Sequence, residues 1–161
     1  MARKPVLADH GHLDVAYELA FRDDEPSWLH MSERTSTIWE DWDAVRPDGT
    51  AAHSLNHYSK GAVISFLHSY VAGLQIVEPG YLRFRVAPRP GGGITQARTH
   101  HLSPHGRIDV AWHLDDGEGR IDVTVPEGTE AWLDLPGGSL DLSDGGQELL
   151  GPGTHQRTWP A

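Results

Sequence analysis

Ile108-Asp109-Val110-Ala111-Trp112-His113-Leu114 and Ile121-Asp122-Val123-Thr124-Val125 alternate apolar residues with polar or small ones along their whole length. A period of two sends successive side chains to opposite faces of a strand, so each stretch predicts a strand with one buried face. The pentapeptide Gly-Arg-Ile-Asp-Val occurs at 106–110 and again at 119–123, which predicts two neighbouring strands built alike. Two copies are too few for a repeat architecture. Outward from this pair, Leu82, Phe84 and Val86 keep the same period, as do Ala131, Leu133 and Leu135. Turn residues punctuate the region at Gly91-Gly92-Gly93, Pro104, Asp116-Gly117, Pro126, Pro136-Gly137-Gly138, Asp144-Gly145-Gly146 and Gly151-Pro152-Gly153. Short strands at this spacing predict an antiparallel β-sandwich beginning near Tyr81.

Upstream the period changes to that of helices. Leu13, Ala16, Tyr17, Ala20 and Phe21 follow an i, i+3, i+4 rhythm, which predicts a helix over about 9–22 with Asp9 as its cap. A second helix is expected from Asn56 or His57 to Val71, closed by Gly73. It is apolar or small on nearly every face, the pattern of a helix covered on more than one side. Residues 28–54 have no sustained period and predict a loop with one short ordered stretch, turning at Pro47-Asp48-Gly49. Helices followed by strands make the class α+β, and the domains divide as 1–78 and 79–161.

The chain has 161 residues, 38% of them hydrophobic, and a formal net charge of −10. Such an acidic balance argues against a nucleic-acid partner, because phosphate binding needs a basic surface. The absence of Cys excludes disulfides, thiolate nucleophiles and Cys-ligated metals. No apolar run is long enough to span a membrane, and the N-terminus carries no apolar core of a secretory signal. A cytoplasmic location is therefore expected. His10-Gly11-His12 and His100-His101 with His105 have the residue types of a metal site but not a convincing spacing, so neither a metal nor another cofactor is expected.

The densest stretch of functional residue types is Trp39-Glu40-Asp41-Trp42-Asp43. Aromatic rings beside carboxylates suit sugar binding, and a carboxylate is the group with which glycosidases move protons or attack. Packed tryptophans beside solvated acids explain the same residues without function. His57, at the start of the second helix, reads either as a ligand-facing imidazole or as a surface residue.

In sequence order these motifs resemble the C-terminal part of bacterial α-L-rhamnosidases of glycoside hydrolase family 78. The residues that carry the resemblance are Asp9 to Tyr17 before Pro26-Ser27-Trp28, then Trp39-Glu40-Asp41-Trp42, Asn56-His57-Tyr58, Glu78-Pro79-Gly80-Tyr81, Ala87-Pro88-Arg89-Pro90-Gly91 and Ser103-Pro104-His105-Gly106. The resemblance implies the last helices of an (α/α)₆ barrel followed by a β-sandwich. It implies Glu40 as general base of an inverting hydrolysis, His57 as a sugar contact, and Trp39 and Trp42 as pocket wall. The general acid and most of the barrel have no counterpart here, so the isolated chain is expected to be inactive. The alternative is a non-catalytic sugar-binding or structural sandwich. With too few helices to close a barrel, self-association is expected, most simply as a dimer through Ile64, Phe66, Leu67 or Val71.

Overall fold

The computed structural model describes residues 3–137 and 147–161, with side chains from residue 6 onward. The turn expected at Asp144-Gly145-Gly146 lies outside the described residues. The chain forms two compact units, 1–66 and 67–161.

In the first unit, helix α1 (Arg3–Asp9) and helix α2 (Leu13–Phe21) replace the single helix expected over 9–22. Gly11, at φ +81°, breaks the helical path between them. Asp9 therefore ends α1, and His12 occupies the N-cap position of α2 without a side-chain cap bond. Ala16, Tyr17 and Ala20 form the buried face of α2, with the Tyr17 ring edge-on to Phe66 at 5.5 Å. The short ordered stretch expected between the helices is α3 (Trp28–Arg34). Ser27 caps it, its Oγ accepting from the His30 amide at 3.0 Å. The Pro47-Asp48-Gly49 turn is present. There Gly49 donates to the Arg46 carbonyl, and Asp48 Oδ1 accepts from the Thr50 amide at 2.9 Å.

The second expected helix is segmented into α4 (Tyr58–Gly61), α5 (Val63–Phe66) and a π-helical turn over Leu67–Val71. Its interior is more covered than the bare count of helices implied. Phe66 is fully buried and Val71 nearly so, while Ile64 is 60% exposed. Gly73 ends the segment at φ +90° as expected, and there a Cβ would stand 2.4 Å from the Pro88 nitrogen.

The second unit contains, among the described residues, two four-stranded sheets. One is ordered β1 (Leu74–Ile76), β2 (Arg83–Val86), β6 (Glu130–Leu133), β7 (Glu148–Leu150). The other is β3 (Gln96–Ser103), β4 (Gly106–Asp115), β5 (Glu118–Val125), β8 (Gly153–Pro160). Pairing is antiparallel except between β2 and β6. The repeated pentapeptide does mark hydrogen-bonded neighbours, β4 and β5, joined through Asp116 and Gly117, both at positive φ. Leu74, Phe84, Val86, Ala131, Leu133 and Leu150 from one sheet meet Ile108, Val110, Trp112, Ile121, Val123 and Trp159 from the other in one core. Leu82 is the exception to the expected alternation. It lies just before β2, after the 3₁₀ turn Pro79–Tyr81, and is 42% exposed.

The Trp112 indole N–H donates to the Val71 carbonyl at 2.8 Å, satisfying its one polar atom inside the core. Nearby, His68 Nδ1 is hydrogen-bonded to Thr99 Oγ1 at 2.8 Å. Burial, followed by the proximity of His101, lowers the His68 pKa from its ordinary 6.5. The unfolded chain therefore binds a proton at His68 before the folded chain does. This unit is expected to lose stability as pH falls through 6.5 toward the lowered value, with no contribution from His68 above that window. Urea unfolding between pH 7.5 and 5 would show it, and His68→Gln should flatten the slope.

Candidate functional site

The tryptophan-acid motif lies on irregular chain after α3, held in place from beneath. Trp39 is fully buried with Met31 and Ala44, and its indole N–H donates to Thr35 Oγ1 at 2.7 Å. Ile38, Trp42, Val45 and Leu55 pack on that small core. Burial of Trp39 fixes the backbone of the next residue, Glu40, whose side chain is exposed.

Backbone hydrogen bonds join this segment to the one carrying His57. The Glu40 amide donates to the Ser54 carbonyl and the His57 amide to the Ile38 carbonyl, both at 2.8 Å. The Ser54 amide in turn donates to Glu40 Oε2 at 3.4 Å. Two motifs well separated in sequence thus run side by side, with register set by main-chain bonds.

Lys60, on α4, ties the same corner together. Its Nζ donates to the Glu40 carbonyl and lies 4.7 Å from the centre of the Trp42 ring. Trp42 stands edge-on to Trp28 at 5.0 Å, and the Trp28 indole N–H donates to the Lys60 carbonyl at 2.9 Å. Neither Lys60 nor Trp28 was singled out from sequence as part of this corner. A Lys at the start of a helix carries no local signal of a loop that folds back onto it.

His57 is half-buried at the N-terminus of α4, in the cap position but without a side-chain cap bond. Its Nδ1 is shielded from solvent and has no hydrogen-bond partner within the described structure. Leaving such an atom unmatched costs about 1–3 kcal/mol. The imidazole lines a shallow cleft of about 650 Å³ together with Thr37, Ile38, Asn56, Tyr58 and Ala62. Tyr58 is 86% exposed beside it. Glu40 and Trp42 do not line this cleft.

The other acids of the motif are placed differently. Asp41 faces His53 at 3.4 Å, and Asp43 is exposed. The histidine pairs do not converge. His10, just past α1, is hydrogen-bonded through Nδ1 to the Val6 carbonyl at 2.8 Å, and His100 and His101 are adjacent residues of β3 that face opposite sides. Among the described residues no three His, Asp or Glu side chains are grouped as metal ligands.

Short helices and a tryptophan-acid loop followed by a two-sheet unit define the α+β class expected from the hydrophobic pattern. Residues 4–71 match the family described as the bacterial alpha-L-rhamnosidase 6 hairpin glycosidase domain, and residues 73–149 match the bacterial alpha-L-rhamnosidase C-terminal domain. The chain belongs to the bacterial α-L-rhamnosidase family and corresponds to its C-terminal part.

An alpha-L-rhamnosidase of Streptomyces avermitilis is 37% identical over 137 residues, covering 82% of this chain and 13% of that protein. One from Formosa agariphila is 29% identical over 136 residues, covering 81% of this chain and 15% of the relative. The crystal structure of the Streptomyces avermitilis α-L-rhamnosidase complexed with L-rhamnose superposes with a TM-score of 0.82 at 32% identity, covering 96% of this chain and 17% of that one. The native Aspergillus terreus enzyme gives a TM-score of 0.82 at 34% identity, covering 96% of this chain and 18% of its own. The chain thus spans less than a fifth of the length of these relatives.

Proposed function

We propose that the helical segments before β1 are the closing helices of an inverting α-L-rhamnosidase barrel and the two-sheet unit its C-terminal sandwich; β1 (Leu74–Ile76) pairs with β2, which moves the division a few residues ahead of the expected 78/79. Glu40 is assigned as general base, His57 as a contact to the sugar, and Trp42 as pocket wall braced from beneath by the buried Trp39. The observation that carries this reading is the main-chain pairing of Ile38 and Glu40 with His57 and Ser54, which supports a shared corner for the two motifs.

Inversion needs a second carboxyl to protonate the leaving oxygen, about 6.5–9.5 Å from the base with a water between. Asp41 and Asp43 follow Glu40 too closely in sequence to flank the opposite face of one sugar ring. A missing general acid alone costs about 10²–10⁴ in rate. The isolated chain is therefore expected to bind L-rhamnose weakly and to hydrolyse p-nitrophenyl α-L-rhamnoside little or not at all. Trp fluorescence during a rhamnose titration should change, and the change should be lost in His57→Ala. Rapid p-nitrophenol release that Glu40→Gln abolishes would overturn the assignment of inactivity. Rhamnose binding unaffected by His57→Ala would instead favour a sugar-binding or structural sandwich. We also propose that the chain self-associates as a two-fold dimer with Ile64 at its interface, because a large apolar side chain left in water forfeits about 1.5–3 kcal/mol. Light scattering on the same sample should give twice the chain mass.

A further inference from the structure

We propose that the outer face of the β3–β4–β5–β8 sheet carries a binding site for a carboxylate-bearing sugar, centred on Arg98, Ala111, His113 and Asp122.

The strand register places these residues together. Arg98 is opposite Ala111 and Ala111 opposite Asp122, while Gln96 is opposite His113 in the next row of the same face. Directly paired residues of an antiparallel sheet point the same way, and the core-facing row is the alternate one, containing Val110, Trp112, Ile121 and Val123. Across the central strand the side chain is only a methyl group, so the face is depressed there. The hollow holds about 570 Å³ and is lined by Gln96, Arg98, Ala111, His113 and Asp122. Strands lie about 4.8 Å apart, so Arg98 and Asp122 flank Ala111 with backbones about 10 Å from each other, a span suited to one pyranose ring lying flat on the methyl group.

The chemistry of the rim selects the ligand. Other arginines on this sheet have carboxylates of their own: Arg107 grips Asp109, Arg120 stands 3.9 Å from Asp122, and Arg157 pairs with Glu148. Among the described residues Arg98 has no such partner, although the protein carries a net charge of −10. A guanidinium fork left open matches a carboxylate in bidentate fashion. On the far side, Gln156 Nε2 donates to Asp122 Oδ1 at 2.6 Å and Arg120 Nε stands 3.9 Å from Oδ2, which holds the carboxylate in place while Oδ2, beyond hydrogen-bond distance of that guanidinium, keeps lone pairs for sugar hydroxyls. Gln96 and His113 add hydrogen-bonding groups along one edge. Cation at one end, hydroxyl acceptor at the other and an apolar floor between them fit a uronic acid better than a neutral sugar.

The test is an amide NMR titration of the chain with digalacturonic acid, with neutral digalactose as comparison. Shifts should concentrate on β3, β4 and β5 around Ala111, and the acidic disaccharide should bind at least tenfold tighter. Arg98→Ala should weaken it about tenfold or more. Ala111→Leu, which fills the hollow while leaving every charge in place, should do the same. Glu40→Gln should leave the shifts and the affinity for the acidic disaccharide on this face as they are, which separates this site from the corner that carries Glu40. Equal affinity for the neutral disaccharide, shifts scattered over all the arginines, or indifference to Arg98→Ala would each overturn the proposal.

Discussion

Replacing Asp134 by alanine is expected to destabilise the two-sheet unit by about 3 kcal/mol, the lower end of what losing one partner of a buried ion pair costs. Asp134 is 1% exposed, directly after β6, and its Oδ2 accepts from both Arg85 and Arg89, the latter at 2.9 Å. Its amide donates to the Val86 carbonyl, continuing the β2–β6 pairing beyond the last strand residue. Deleting the carboxylate leaves two cations close together in a partly buried position. Residual access of both guanidinium groups to water keeps the cost from reaching the upper end. A domain of this size shifts its melting temperature by roughly 4–8 °C per kcal/mol, so the loss should read as about 12–24 °C in a thermal melt. Replacing all three residues together by apolar ones of similar volume should recover most of it, because no charge is then stranded.

Gly119→Ala is expected to cost about 3–5 kcal/mol, comparable to deleting a buried tryptophan. Gly119 on β5 is paired directly with Trp159 on β8, and the indole folds back across the glycine. A Cβ at Gly119 would stand 2.1 Å from Trp159 Cε2 and 2.3 Å from Cζ2, so the ring must leave its site. Trp159 is only 5% exposed and belongs to the core, so leaving opens a cavity. The diagnostic measurement is a double-mutant cycle by urea unfolding. Gly119→Ala added to Trp159→Ala should cost little more than Trp159→Ala alone, since the clash has then been removed.

The strands that were legible in sequence are those buried on one face by large apolar residues: β2, β4, β5 and β6. In each, side-chain chemistry repeats the pleat. Strand β3 was not legible. Its sequence, Gln-Ala-Arg-Thr-His-His-Leu-Ser, places Ala97, Thr99 and His101 on the inner side at the sheet edge, where partial burial does not demand large apolar residues. Strand β8 hides in the same way, because Gly-Thr-His-Gln-Arg-Thr-Trp-Pro offers one large apolar anchor, Trp159. The parallel pairing of β2 with β6 joins segments far apart in the chain, a choice that local periodicity cannot express.

The helical part follows the same division. Periodicity located the helical regions, but the breaks at Gly11 and Ala62 depend on backbone conformations that competing contacts decide. Glu40, Trp39, Trp42 and His57 were identified by residue type and by resemblance to a family. Their chemistry is local to each side chain and survives in the linear text.

What sequence alone determined about this protein is its class of fold, its family and the residue types at the candidate site, because hydrophobic period and motif order are properties of neighbouring residues. Tertiary structure decided that Trp39 faces inward while Glu40 faces water, and that Lys60 and Ser54 hold the Glu40 segment. It also decided that Arg98 is left without a carboxylate across from Ala111. Each of these depends on which distant segment a residue packs against, and that is set by register and burial summed over the whole unit rather than by any stretch of chain.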